Sequence, residues 1–217
     1  VVETATWQSG YCAVTGWIRA VTAPQDMQFR VNLPAEWNGR ALQFGGGGFD
    51  GSLVTATGNY TAQPAGTYTF DPLQHVDRIQ ELGEIMDVTD VDLTRFQAYG
   101  GKVILTHGTI DDFITPHNTV RYYERQQERF KDRLDDFLRF YMVPGWGHGQ
   151  GRFVAQYDGL GAIVDWVENG VAPEGLVARD GSPGADRTRP MCEYPAWPQH
   201  TGEGSIDDAE SFVCVTG

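Results

Sequence analysis

Basic residues are scarce in this sequence. Sixteen Lys and Arg stand against twenty-nine Asp and Glu, for a formal net charge of −13 and a pI near 4.6. Such a surface repels phosphate backbones and anionic lipid, which argues against nucleic-acid and membrane-surface partners. Long apolar runs are missing too, and none approaches the length needed to span a bilayer. No positively charged segment followed by an apolar stretch opens the chain, and the start at Val1-Val2-Glu3 is that expected of a mature or trimmed protein. Low complexity and internal repeats are also lacking. The 217 residues, 41% of them hydrophobic, are therefore expected to build one globular domain.

Cysteine is sparse: Cys12, Cys192 and Cys214. The last two bracket most of a Pro- and Gly-rich tail, residues 191–217, that has little periodicity. A disulfide between them would tether the tail and restrict the unfolded chain, a gain of roughly 3 kcal/mol in the entropy model. Two buried thiols are the alternative. A loop-rich acidic chain fits an oxidising compartment, so a secreted or periplasmic location is expected. Cys12 is then left over. Serine is limited to Ser9, Ser52, Ser182, Ser205 and Ser211, and none of these sits in a G-x-S-x-G turn.

What is present reads as β passing into α/β. Residues 11–20, 27–33 and 41–45 have strand character, separated by Ala23-Pro24-Gln25-Asp26 and Trp37-Asn38-Gly39. Residues 51–66 read as loop and 74–86 as a short helix. KVILTHG predicts a strand. PHNTVRYYERQQERFKDRLDDF predicts a helix with Pro116 near its start, Asn118 or Thr119 as its cap, and Val120, Tyr123, Phe130, Leu134 and Phe137 near one face. FLRFYMVPG predicts another strand, and FVAQYDGLGAIVDWVENG a helix ending at Gly170 with Pro173 beyond. Strand, helix, strand, helix implies a parallel pair joined by a crossover.

In such sheets function gathers in the loops at the carboxyl ends of the strands. Three loops here have suitable chemistry. ALQF runs into Gly45-Gly46-Gly47-Gly48, whose bare amides can point into a site. KVILTHG leads to Asp111, and FYMVPGWGHGQG displays His148 between glycines. An acid after one strand and a histidine after the next is the Asp…His half of a hydrolase triad, and a glycine run after an earlier strand is where an oxyanion-hole amide is supplied. Individually, a glycine run is more often a tight turn and a loop histidine more often a surface residue.

Several stretches together resemble the tannase and feruloyl esterase family, which includes mono(2-hydroxyethyl) terephthalate hydrolases: YCAVTGWI, VNLPAEWNGRALQFGGGGFDGSL, FQAYGGKVILTHGTIDDFITPHNTVRYYER, FYMVPGWGHGQG, VDWVENGVAPEGLVA and RTRPMCEYP…SFVC. The resemblance implies a reduced α/β-hydrolase-like sheet flanked by helices. It makes Asp111 the triad acid, His148 the base and the Gly46, Gly47 region the oxyanion loop, and it pairs Cys192 with Cys214. The departures are equally specific. The family's long middle section, with a serine in a Gly-Cys-Ser-x-Gly-Gly elbow and a calcium-binding lid, has no counterpart between GSLVTATGNY and TFDPLQHVDRI. The family's cysteine after the triad histidine is replaced by Gly149. Loss of both cysteines of that pair is chemically coherent, because either alone would be a stray thiol.

The expectation is therefore a lidless carboxylic ester hydrolase for esters of aromatic acids, or for polyester-derived esters. It needs no cofactor and no metal, and its oligomeric state is open. Ser52, just past the glycine run, is the best-placed internal nucleophile, although capping the turn after Asp50-Gly51 is the commoner use of such a serine. Phe49, Phe113 and Trp146 are candidates for holding the aromatic group. Two alternatives stay open. His107, Asp111, Asp112 and His117 mix nitrogen and oxygen ligands, but their spacing matches no established metal signature. The chain is otherwise a catalytically weak remnant that binds aromatic ligands or completes another chain.

Overall fold

The computed structural model describes residues 1–19, 26–43, 72–88 and 90–217. They divide into two compact units, Val1–Val76 and Asp77–Gly217.

In the first unit, β1 (Val2–Trp7), β2 (Tyr11–Ile18) and β3 (Met27–Pro34) form an antiparallel meander. β1 was not foreseen. A tight turn joins it to β2, with the Gln8 amide donating to the Tyr11 carbonyl at 2.7 Å and Gly10 at φ +91°. The strand expected over 41–45 is not formed across 41–43, which have irregular backbone, while 44 and 45 lie outside the described residues. So does the stretch read as loop, 51–66.

α1 (Val76–Met86), within the expected helical stretch, starts at the boundary residue of the two units, and a short α2 (Thr94–Ala98) follows in the second. Then β4 (Val103–Gly108), α3 (Pro116–Phe130) and β5 (Leu138–Val143) make the parallel pair with its helical crossover. Alternation along the two strands divides the core. On one side Leu138 and Phe140 pack with Tyr123, Phe130, Leu134 and Phe137, and Val103 and Leu105 lean on the same cluster. On the other, Tyr141 and Val143 join Phe153, Ala178 and Met191, with Ile104 against them. The fold is a reduced α/β arrangement.

Two helices depart from expectation. α3 ends at Phe130 rather than continuing to 137, because Lys131 turns to φ +51° and Lys131–Asp136 winds as a 3-10 segment. The apolar positions still reach the core, and Leu134 and Phe137 are buried. Its N-cap is Thr115, without a side-chain cap, and Pro116 opens the first turn, where a missing N–H costs nothing. Asn118 and Thr119 are inside the helix, and Thr119 serves His107 instead.

The last helix, α4, is shorter than its sequence pattern. Residues 155–156 form β6 (Ala155–Gln156), and α4 spans only Gly159–Asn169. Asp158 caps it, accepting from the Gly161 amide at 2.7 Å, and a Cβ at residue 161 would overlap that carboxylate. Gly170, left-handed at φ +71°, ends it. β7 (Val177–Asp180) lies between β6 and β8 (Thr188–Pro190), and β9 (Trp197–His200) pairs with β10 (Phe212–Val215). The aperiodic tail thus holds one short strand pairing, β9 with β10, and Cys192 and Cys214 are disulfide-bonded within it. Cys12 is a free thiol. Among the described residues no helix is long and apolar enough to cross a membrane.

Candidate active site

β4 and β5 run in the same direction and end level, Gly108 opposite Val143. Their following loops therefore leave the sheet side by side. The loops are tied together at once: the Thr109 amide donates to the Val143 carbonyl at 3.0 Å, the Gly145 amide to the Thr109 hydroxyl at 3.1 Å and the Ile110 amide to the Trp146 carbonyl at 3.1 Å. Gly108 permits this crossing, since a Cβ there would overlap the Trp146 carbonyl.

On this platform Asp111 turns inward. Its Oδ1 accepts from the amides of Phe113 at 3.0 Å and Ile114 at 2.9 Å, and its side chain is buried. Burial alone would raise its pKa. The Ile114 amide, the His148 imidazole and the Phe113 amide outweigh that and bring it down to about 2. Asp111 is thus an ionised acceptor at neutral pH, and Oδ2 faces His148 Nδ1 at 3.0 Å. A carboxylate can only accept, so Nδ1 carries the hydrogen, and in the neutral ring Nε2 keeps its lone pair. Nε2 makes no hydrogen bond among the described residues, and half of the His148 side chain is exposed. The next residue, Gly149, has φ +72°, a conformation that a cysteine would enter only with strain.

His107 is the contrasting imidazole. Its Nε2 lies 3.0 Å from the Ile114 carbonyl, which can only accept, so Nε2 bears the hydrogen. Nδ1 then accepts from the Thr119 hydroxyl at 2.7 Å. The Asp111 carboxylate is 3.5 Å from Nε2. Both nitrogens are committed to fixing the loop, an arrangement that depends on Thr119 arriving from α3 and that sequence reading missed. Among the described residues no group of three or more His, Cys, Asp and Glu side chains converges as a metal site would require.

Phe113 is exposed and tilts against the His148 ring, centroids 5.3 Å apart. Trp146 is partly buried and packs on the cluster of Tyr141, Val143 and Phe153. Gly46, Gly47, Phe49 and Ser52 lie outside the described residues.

A family profile described as tannase and feruloyl esterase matches residues 12–70 and 59–215. The chain belongs to the tannase and feruloyl esterase family. Relatives within reach of this chain include an uncharacterized esterase of Xanthomonas campestris pv. campestris, 34% identical over 243 residues, covering 96% of this chain and 39% of that protein. Mono(2-hydroxyethyl) terephthalate hydrolase of Piscinibacter sakaiensis is 38% identical over 132 residues, covering 58% of this chain and 22% of that protein. Among solved structures, an esterase from Aspergillus oryzae superposes with a TM-score of 0.59 at 28% identity, over 67% of this chain and 33% of the other. Feruloyl esterase B from the same organism gives 0.51 at 30% identity, over 58% and 29%. The fold is therefore of the α/β-hydrolase type. The chain spans well under half the length of these family members, 39% and 22% of the two sequence relatives.

Proposed function

We propose that this chain carries the acid and base of a carboxylic ester hydrolase acting on esters of aromatic acids, in a site without a lid. The observation that carries this reading is the open Nε2 of His148, on a ring fixed through Nδ1 by ionised Asp111. In that state the imidazole is a ready base, and the carboxylate stabilises the imidazolium that forms. A hydroxyl nucleophile gives its proton to Nε2 as its oxygen attacks the ester carbonyl. The imidazolium then protonates the departing alcohol, and water releases the acid by the same route in reverse. Gly46 and Gly47 supply the amides for the oxyanion, and Ser52 is the internal nucleophile. Phe113, exposed beside His148, and Phe49 give the aromatic group a surface. The single-domain organisation and a secreted or periplasmic location belong to the same reading, and the Cys192–Cys214 disulfide favours the latter.

A competing reading has the chain binding aromatic ligands or completing another chain. It is favoured by the lack of a G-x-S-x-G turn in all 217 residues. Ser9, Ser182, Ser205 and Ser211, the described serines, make no hydrogen bond to His148. A fluorophosphonate and a slow aryl ester decide between the two. Labelling at Ser52, with labelling and turnover both abolished by Ser52→Ala, supports covalent catalysis within the chain. Turnover that persists without labelling and disappears in His148→Ala points to water activated by His148. No labelling and no turnover leaves the binding reading.

A further inference from the structure

A second recess is built with different chemistry. A cleft of about 270 Å³ opens between the loop after β5 and the strands of the C-terminal region. Pro144 and Gly145 contribute to its wall, while Asp111 and His148 do not. Met142, Phe153, Met191 and Phe212 supply apolar surface, and Arg152, Arg187 and Arg189 stand around it. Three of the sixteen basic residues of a chain with net charge −13 thus share one small recess.

Their pairing is uneven. Arg187 is neutralised by the buried carboxylate of Asp180, with Nε at 3.1 Å and Nη2 on the same oxygen, and Nη2 also donates to the Arg152 carbonyl. Arg189 has no ion pair among the described residues. Its Nη1 donates to the Thr188 carbonyl at 2.6 Å, and its guanidinium sits 4.4 Å from the Phe212 ring centroid. Burial and the adjacent Arg187 lower the Arg189 pKa, while Asp207 and Asp180 oppose them without forming an ion pair. The Arg152 side chain is exposed and makes no ion pair or hydrogen bond among the described residues. The recess thus holds more guanidinium charge than its one paired carboxylate neutralises. Guanidinium N–H groups match a carboxylate in pairs, and the apolar wall excludes a fully hydrated ion such as free phosphate. The volume lies just below the usual range for drug-sized ligands, roughly 300 Å³ upward, which suits a single ring.

We propose that this cleft binds a small aromatic carboxylate, its ring against Phe153, Met191 and Phe212 and its carboxylate on Arg189 and Arg152. This goes beyond the proposed ester hydrolysis and stands whether or not the chain turns over an ester.

The test uses the 217-residue chain labelled with 13C at the methionine methyl groups, since Met142 and Met191 both line the cleft. Titration with benzoate should shift these two signals saturably. Benzamide, the same ring without charge, and inorganic phosphate, charge without a ring, should bind at least tenfold more weakly. Arg189→Met should weaken benzoate at least tenfold, with Arg189→Lys intermediate, and His148→Ala should bind it like the parent. If Arg189→Met does not fold, Arg152→Met, at an exposed position, carries the same test with a loss of at least threefold. Absence of a saturable shift with benzoate overturns the proposal. So does equal binding of benzamide or phosphate, unchanged affinity in the folded arginine variants, or loss of binding in His148→Ala.

Discussion

Asp111 follows β4 and Asp180 ends β7, and both gather backbone amides at a strand end. Phe113 and Ile114 donate to the first, Val154 and Ser182 to the second. Both carboxyl groups are buried, and in both the hydrogen bonds overcome burial and depress the pKa. The regions differ in the third partner. Asp180 faces Arg187, a permanent cation whose donors go to Asp180 and to a backbone carbonyl. Asp111 faces His148, a titratable ring with a second nitrogen still open and half of its side chain in solvent. A depressed carboxylate pKa therefore does not by itself mark a site. The chemistry left over on its partner does: none of it proton-accepting in the C-terminal region, one basic lone pair beside β4 and β5.

The sharpest way to break this comparison is to remove the leftover chemistry. His148→Ala should lower ester hydrolysis by about 100-fold or more, the usual weight of a positioned acid–base group. Asp111→Asn should lower it with the fold retained, as read by circular dichroism, whereas Asp180→Asn should leave the rate per folded molecule near that of the parent. A parental rate in His148→Ala would remove the distinction between the two regions.

Stability should sort them the other way. Asp180→Ala strands Arg187 and the Val154 and Ser182 amides. It should cost about 3 kcal/mol by urea denaturation, at the low end for breaking a buried pair because Arg187 keeps part of its side chain in water. Replacing Cys192 and Cys214 together by serine should cost a similar amount, about 3 kcal/mol, by releasing the same region's cross-link.

A smaller effect comes from acid. Asp111 is held down from 3.8 to about 2, so its contribution to stability is complete above about pH 4 and is lost as the pH falls toward 2. Denaturation profiles of the parent and Asp111→Asn should therefore converge across that interval. No effect at all is expected from EDTA, since both nitrogens of His107 are already engaged by Ile114 and Thr119. A loss of activity restored by zinc or calcium would reopen the cluster of His107, Asp111 and His117 as a metal site.

Much of the second unit was legible because its signals are local and periodic. The apolar spacing from Val120 to Phe137 locates the core face even though the helix breaks at Lys131, since the 3-10 segment keeps those side chains turned inward. The C-terminal strands escaped notice. They are three or four residues long, too short for alternation to show, and depend on cross-strand partners and a disulfide. α4 was read too long because Asp158-Gly159, its true start, sits inside a continuous apolar pattern.

The sequence by itself determined the order of the parts: a strand leading to Asp111, a crossover helix, and a strand leading to a glycine-flanked His148. Residue type and spacing suffice for that, because backbone propensity and turn chemistry act over a few neighbours. Only the tertiary structure decided which histidine is free. His107 lies near the end of β4 and His148 in the loop after β5, and their sequence neighbours do not fix what either ring's nitrogens meet. Thr119 reaches His107 from the first turn of α3, and Asp111 reaches His148 across parallel strands that end level, 37 residues apart in the chain. Proton affinity and direction at a ring nitrogen are set by whatever lies within about 3 Å of it, and chain folding alone supplies those neighbours.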